Sequence, residues 1–331
     1  MRAMRLDKTA PIEKRPLRAV DIPVPDPGPG EILLKALACG VCHTDLHTVE
    51  GDLILPKLPL TPGHQVVGVV EKAGPATRRF AGGERVGVTW FYSSCGECPA
   101  CRGGRENLCL SARFTGYHAD GGYAEYMIAP EASVFPIPAQ FSDIEATPLL
   151  CGGVIGYRAL RLSEVKPGGK LGLYGFGNSA HVVIQIAVHR GCRVHVFTRS
   201  QTHRTVAREL GAVWVGASHD QPPELMDASI IFAPAGSLVP EALRHLDRGG
   251  TLALAGITMT RIPEMDYGLI YGERTVRSVA NTTRKDAEEL LQEAARIPVR
   301  TVVERFALDD ANRVLHMMKT SQLRAAAALV T

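Results

Sequence analysis

The chain has 331 residues, 45% of them hydrophobic and 21% charged, with 37 Lys and Arg against 34 Asp and Glu for a net charge of +3. That length implies about two domains and a core that needs no disulfides. The composition excludes a disordered chain, and the even spread of charge offers no basic arm for nucleic acid. No apolar run approaches the ~20 residues of a membrane helix, and residues 1–5 carry charges where a signal peptide needs apolar residues. A cytoplasmic protein is expected, with no nucleic-acid or membrane partner.

Taken in chain order, the first 150 residues are rich in Gly and Pro and hold short β-type runs at 32–36, 66–71, 85–89 and 123–128. Short strands with frequent turns predict an irregular, mainly antiparallel β domain. After about residue 152 strands and helices alternate: strand 170–174, helix 179–190, strand 193–198, helix 201–210, strand 212–215. Strand 228–232, helix 240–246 and strands 251–255 and 275–279 follow. This alternation predicts a doubly wound parallel sheet, so the chain reads as α/β. A helix at 285–296 and a last strand ending near residue 330 complete the pattern.

Strand 170–174 runs into Gly175-Phe-Gly177-Asn-Ser-Ala180 and then into a helix, the G-x-G-x-x-G/A turn in its required context. The first glycine makes the tight turn, the second admits a pyrophosphate, and the small Ala180 lets helix and strand pack closely. Free N–H groups at the helix start then face the phosphates. At the end of the next strand stand Thr198, Arg199 and Ser200, with His203 and Arg204 behind them and no acid. An acid there would bind a ribose 2′-hydroxyl, whereas a cation suits a 2′-phosphate, so NADP(H) is expected over NAD(H).

Eight cysteines stand at positions 39, 42, 95, 98, 101, 109, 151 and 192. Cys95, Cys98, Cys101 and Cys109 form C-x2-C-x2-C-x7-C, a spacing that lets one loop present four thiolates tetrahedrally to a structural zinc ion. An iron–sulfur cluster is the distant alternative, since the spacing differs from the common ferredoxin runs.

The stretch Cys39-Gly-Val-Cys-His-Thr-Asp-Leu-His47, the following Pro62-Gly-His64, the four-cysteine loop, Cys151-Gly-Gly and the glycine turn resemble, in order and spacing, the zinc-dependent alcohol dehydrogenases of the medium-chain dehydrogenase/reductase family. The resemblance covers essentially the whole chain. It implies a GroES-like, β-rich catalytic domain from residues 1–151 and 285–331, and a Rossmann dinucleotide-binding domain at 152–284. It further implies a catalytic zinc on Cys42, His64 and Cys151, making two zinc ions per chain, with Asp45 orienting the His64 ring. Thr44 and His47 match the proton relay, with the cofactor ribose between them, and His43 a basic pyrophosphate contact. Trp90 and Leu53 match the substrate wall. Leu53 stands where some relatives carry a Trp, which favours longer or aromatic primary alcohols, and Thr44 disfavours branched ones. The chain length is similar to that of the tetrameric bacterial branch. Cys39 and Cys192 read as buried bystanders.

Two departures stand out. Gln65 replaces the Glu that usually follows the histidine ligand, which leaves the zinc surroundings neutral and a stronger Lewis acid. The Ala run at 325–328 lacks the usual basic phosphate contact, although Arg324 adjoins it. A polyol or secondary-alcohol dehydrogenase of the same superfamily is the second enzymatic reading. A non-catalytic nucleotide-binding protein is the alternative of a different class.

Overall fold

A computed structural model describes residues 1–323 and 325–331, so Arg324 lies outside the described residues. The chain divides into two compact units, one of Met1–Cys151, Thr282–Ala295 and Arg300–Thr331, the other of Gly152–Asn281 and Arg296–Val299. Among the described residues no helix is long and apolar enough to cross a membrane.

The first unit is built on a sheet in the order Val303–Ala307, Ala326–Val330, Glu31–Val41, Gln65–Ala73, Arg85–Val88, Val134–Pro136, with Tyr126–Pro130 also paired to Glu31–Val41. All pairs are antiparallel except Val303–Ala307 with Ala326–Val330. The long strand Glu31–Val41 is nearly all buried, and Ile32, Leu34, Val66, Val86, Val88, Val134 and Leu329 meet around it as a core. Register matters most here: Gly40 faces Gln65 across the central antiparallel pair. One strand therefore ends just before Cys42 where its partner begins just after His64.

The 123–128 run is strand only from Tyr126. Residues 121–123 are drawn off to other partners: the N–H groups of Gly121, Gly122 and Tyr123 donate to the carbonyls of Thr61, Gly63 and Pro62 at 2.7, 3.0 and 3.0 Å. An eight-residue helix, His43–Glu50, also interrupts the β-rich region, burying Leu46 and Val49.

The second unit carries six parallel strands in the order Trp214–Gly216, Arg193–Phe197, Lys170–Tyr174, Met226–Ile231, Leu246–Leu254, Thr275–Ser278. In chain order this is third, second, first, fourth, fifth, sixth, the arrangement of two mononucleotide-binding halves. Helices Asn178–His189, Gln201–Glu209 and Leu238–Arg244 connect the strands. The inner strands are mostly apolar because a parallel sheet covered on both faces has no solvated side; Leu171, Leu173, Val194, Val196, Ile230 and Ile231 are fully buried, with His195 and Ser229 as buried polar residues among them.

Candidate active site

Three side chains of metal-ligating type meet in the first unit. Cys42 caps helix His43–Glu50, His64 precedes strand Gln65–Ala73, and Cys151 follows the short 3-10 turn Thr147–Leu150. The fully buried Leu149 and Leu150 anchor that turn, and Leu150 lies so close to Gly87 that a Cβ there would stand 2.7 Å from Leu150 Cδ2. The ligand atoms of Cys42, His64 and Cys151 all lie within 4.8 Å of one another. Cys42 Sγ is 3.8 Å from Cys151 Sγ, and His64 Nε2 is 3.3 Å from Cys151 Sγ.

Those separations suit zinc: tetrahedral Zn–S and Zn–N bonds of ordinary length give S···S edges of about 3.8 Å and S···N edges of about 3.6 Å. With only three ligands, the set leaves a position for water or substrate. The electrostatics also favour a cation. Burial opposes a charged His64, yet the Asp45 carboxylate and the Cys42 sulfur outweigh it and push the imidazole up to about 10. The hydrogen bond from Cys151 holds Cys42 well below the usual thiol range, and the same contact pushes Cys151 up. A metal ion here would take the place of the protons these groups share.

Asp45, 2% exposed, fixes the arrangement from behind. Its Oδ1 lies 2.9 Å from His64 Nδ1, which leaves Nε2 for a metal, and its Oδ2 accepts the Cys42 backbone N–H at 2.9 Å. Trp90 packs edge-on against the His64 ring at 5.0 Å and stacks on Phe114 at 5.1 Å. Thr44 is buried beside Cys42, its Oγ1 3.7 Å from that sulfur. His47 is half-buried and its Nδ1 pairs with Asp52 Oδ2 at 2.7 Å. His43 is exposed at the start of the helix, and Leu53 is half-buried beside the exposed Ile54. Gln65 is buried, with its side chain against Gly40.

Cys95, Cys98, Cys101 and Cys109 form the second cluster. Gly96, with φ +78°, turns the backbone so that the Cys98 N–H donates to Cys95 Sγ at 3.4 Å. Backbone donors at Cys98 and Glu97 hold Cys95 down to about 6. Cys95 is 3.9 Å from Cys101 and 3.5 Å from Cys109, again close to tetrahedral edges. Cys39 and Cys192 are buried and belong to neither cluster.

In the second unit, Gly175 has φ +86°, and a Cβ on it would sit 3.0 Å from the Ala233 nitrogen. Gly177 begins helix Asn178–His189, and its missing Cβ leaves open space, a cradle suited to a pyrophosphate. Ala180 is fully buried. Beyond the second strand, Thr198 is buried, Ser200 Oγ caps the next helix by accepting the His203 N–H at 3.3 Å, and Arg204 Nε donates to the Thr198 carbonyl at 3.0 Å. Arg199 is exposed.

Residues 28–139 match the family model of the alcohol dehydrogenase GroES-like domain, and residues 180–296 match that of the zinc-binding dehydrogenases. A probable alcohol dehydrogenase AdhA of Mycobacterium tuberculosis is 45% identical over all of this chain and 97% of its own length. An alcohol dehydrogenase of Geobacillus stearothermophilus is 38% identical over 96% of this chain and 97% of its own length. The chain belongs to the zinc-type alcohol dehydrogenases of the medium-chain dehydrogenase/reductase family. Like other alcohol dehydrogenases of that family, it is an oxidoreductase acting on CH–OH groups of small alcohols or aldehydes, with zinc and a nicotinamide cofactor. The cinnamyl alcohol dehydrogenase of Sorghum bicolor superposes with a TM-score of 0.89 at 26% identity, covering 99% of this chain and 97% of that one.

Two residues escaped the sequence reading. Asp52 stands just past the helix end at Gly51, whose φ of +87° reverses the chain and brings the acid back to His47. Tyr123 reaches Asp45 from 78 positions away. The acid five residues after His47 is a signal in the sequence, whereas nothing local marks Tyr123.

Proposed function

We propose that this alcohol dehydrogenase interconverts primary alcohols and aldehydes with NADP(H) in preference to NAD(H), using one zinc on Cys42, His64 and Cys151 and a second, structural zinc on Cys95, Cys98, Cys101 and Cys109. The observation that carries this reading is the open three-ligand set within 4.8 Å, with the His64 ring locked by Asp45. Zinc in that set would supply a Lewis acid that lowers the pKa of an alcohol hydroxyl. The nicotinamide would supply the hydride acceptor.

The chain's own groups do the rest. Thr44, buried beside Cys42, would accept the hydroxyl proton as it gives up its own, and His47, three residues along the same helix and half-exposed, would release a proton to water. Asp52 orients the His47 ring through Nδ1 and leaves Nε2 for the transfer. Trp90 walls the site beside His64. Leu53, smaller than an aromatic ring, leaves room for longer or aromatic substrates.

For the cofactor, the cradle at Gly175, Gly177 and Ala180 receives the pyrophosphate, with His43 as a further basic contact. Thr198, Arg199, Ser200 and Arg204 receive the 2′-phosphate. Arg199 has no ion-pair partner among the described residues, and no acid competes at the strand end. A zinc-binding dehydrogenase of Sinorhizobium meliloti bound to NADP superposes with a TM-score of 0.86 at 27% identity, covering all of this chain and 99% of that one. The resemblance to the bacterial branch supports a homotetramer.

A steady-state panel of NADPH and NADH against short, long, aromatic and ketone substrates tests the assignment. The expected result is a kcat/KM at least tenfold higher with NADPH, and higher with long or aromatic aldehydes than with ketones. A preference for NADH would show that Arg199 does not read a phosphate.

A further inference from the structure

We propose that Tyr123 is a positioning residue of the catalytic metal site, acting through Asp45 on the His64 ring. The proposal rests on the assignment of a zinc ion to Cys42, His64 and Cys151. Tyr123 is fully buried and donates its hydroxyl to Asp45 Oδ2 at 3.2 Å. Asp45 therefore has three polar neighbours, the Cys42 N–H, the Tyr123 hydroxyl and His64 Nδ1. A carboxylate 2% exposed stays in place only if its lone pairs are met, and each lost donor lets it rotate toward another.

The same residue holds His64 from a second side. Its backbone N–H donates to the Pro62 carbonyl at 3.0 Å, next to the Gly122 N–H on the Gly63 carbonyl at 3.0 Å. Its ring fills the space under Gly63, where a Cβ would stand 2.4 Å from Tyr123 Cδ1, at a backbone φ of +97°. One residue thus holds the main chain that leads into His64 by its backbone and ring, while its hydroxyl fixes the acceptor that orients the His64 ring. Removing a ligand's direct partner costs about 10–100-fold in metal affinity, and a residue one step behind that partner acts at the lower end of that range.

The two clusters in one chain provide an internal reference. Zinc loss from the holoenzyme to a chromogenic chelator should proceed in two phases, one for each cluster. Tyr123→Phe, which keeps the ring and its packing, should speed the phase belonging to Cys42, His64 and Cys151 about tenfold and leave the four-cysteine phase unchanged. In an Asp45→Asn background, where the acceptor has no charge, the same change should add less than about twofold. Release from the Tyr123→Phe protein at the wild-type rate, or equal acceleration of both phases, would overturn the role of Tyr123 alone. A wild-type preparation holding zinc only at the four cysteines would overturn the assignment of the metal site as well.

Discussion

At the residue scale, Asp45, Asp52 and Tyr123 show how groups outside the three-ligand set organise it. His47 alone is a half-exposed histidine; with Asp52 Oδ2 at 2.7 Å its tautomer is set. Asp52→Asn weakens that control, so kcat for alcohol oxidation should fall about tenfold and added imidazole should restore part of it. A variant with wild-type kcat and no response to imidazole would show that the proton leaves by another route. The three proposed ligands were legible because the resemblance fixed Cys42, His64 and Cys151 in number, and Asp45 by its place three residues after Cys42. Asp52 was less so, because its meeting with His47 depends on the left-handed turn at Gly51. Tyr123 was not legible at all: its contact with Asp45 is a product of how loop and strand cross.

At the element scale, the alternating half of the chain from strand Lys170–Tyr174 on is legible nearly as it folds, because most of its strands are short, largely apolar runs bounded by turn residues; helix Gly152–Leu162 before it is not. The β-rich half was read less well. Helix His43–Glu50 was missed within a region of strands, and the strand expected from residue 123 starts at Tyr126, since residues 121–123 serve the backbone before His64. The two glycines of the nucleotide turn separate stability from binding. Gly175→Ala meets both a left-handed backbone and the Ala233 nitrogen at 3.0 Å, so its thermal midpoint should drop, at a cost of about 1–2 kcal/mol from the backbone alone. Gly177→Ala meets open space, so it should keep the wild-type midpoint while NADPH binding weakens at least tenfold. Thermal melts and nucleotide titrations of both variants check this; a Gly177→Ala protein that binds normally would remove the pyrophosphate from that cradle.

At the scale of the whole molecule, the first unit is discontinuous in sequence. Its return begins at Thr282, three residues earlier than the helix pattern placed it, while Arg296–Val299 group with the second unit. The early start has a local cause: Thr283 Oγ1 caps helix Arg284–Ala294 by accepting the Asp286 N–H at 3.2 Å, and Asp286 Oδ2 in turn accepts the Thr283 N–H at 2.8 Å. That Thr-x-x-Asp signature was present in the sequence and marks the boundary better than hydrophobic periodicity does. What sequence order could not supply was the convergence of residues 42, 64 and 151, which depends on strand register and on the buried turn before Cys151.

Counting metal per chain in paired variants tests most directly whether this convergence holds a zinc ion used in catalysis. The wild-type protein should carry about two zinc ions per chain. Cys151→Ala should carry about one, stay folded, and lose nicotinamide-dependent alcohol oxidation. A Cys151→Ala protein that keeps both ions, or that keeps its activity with one, would contradict the account.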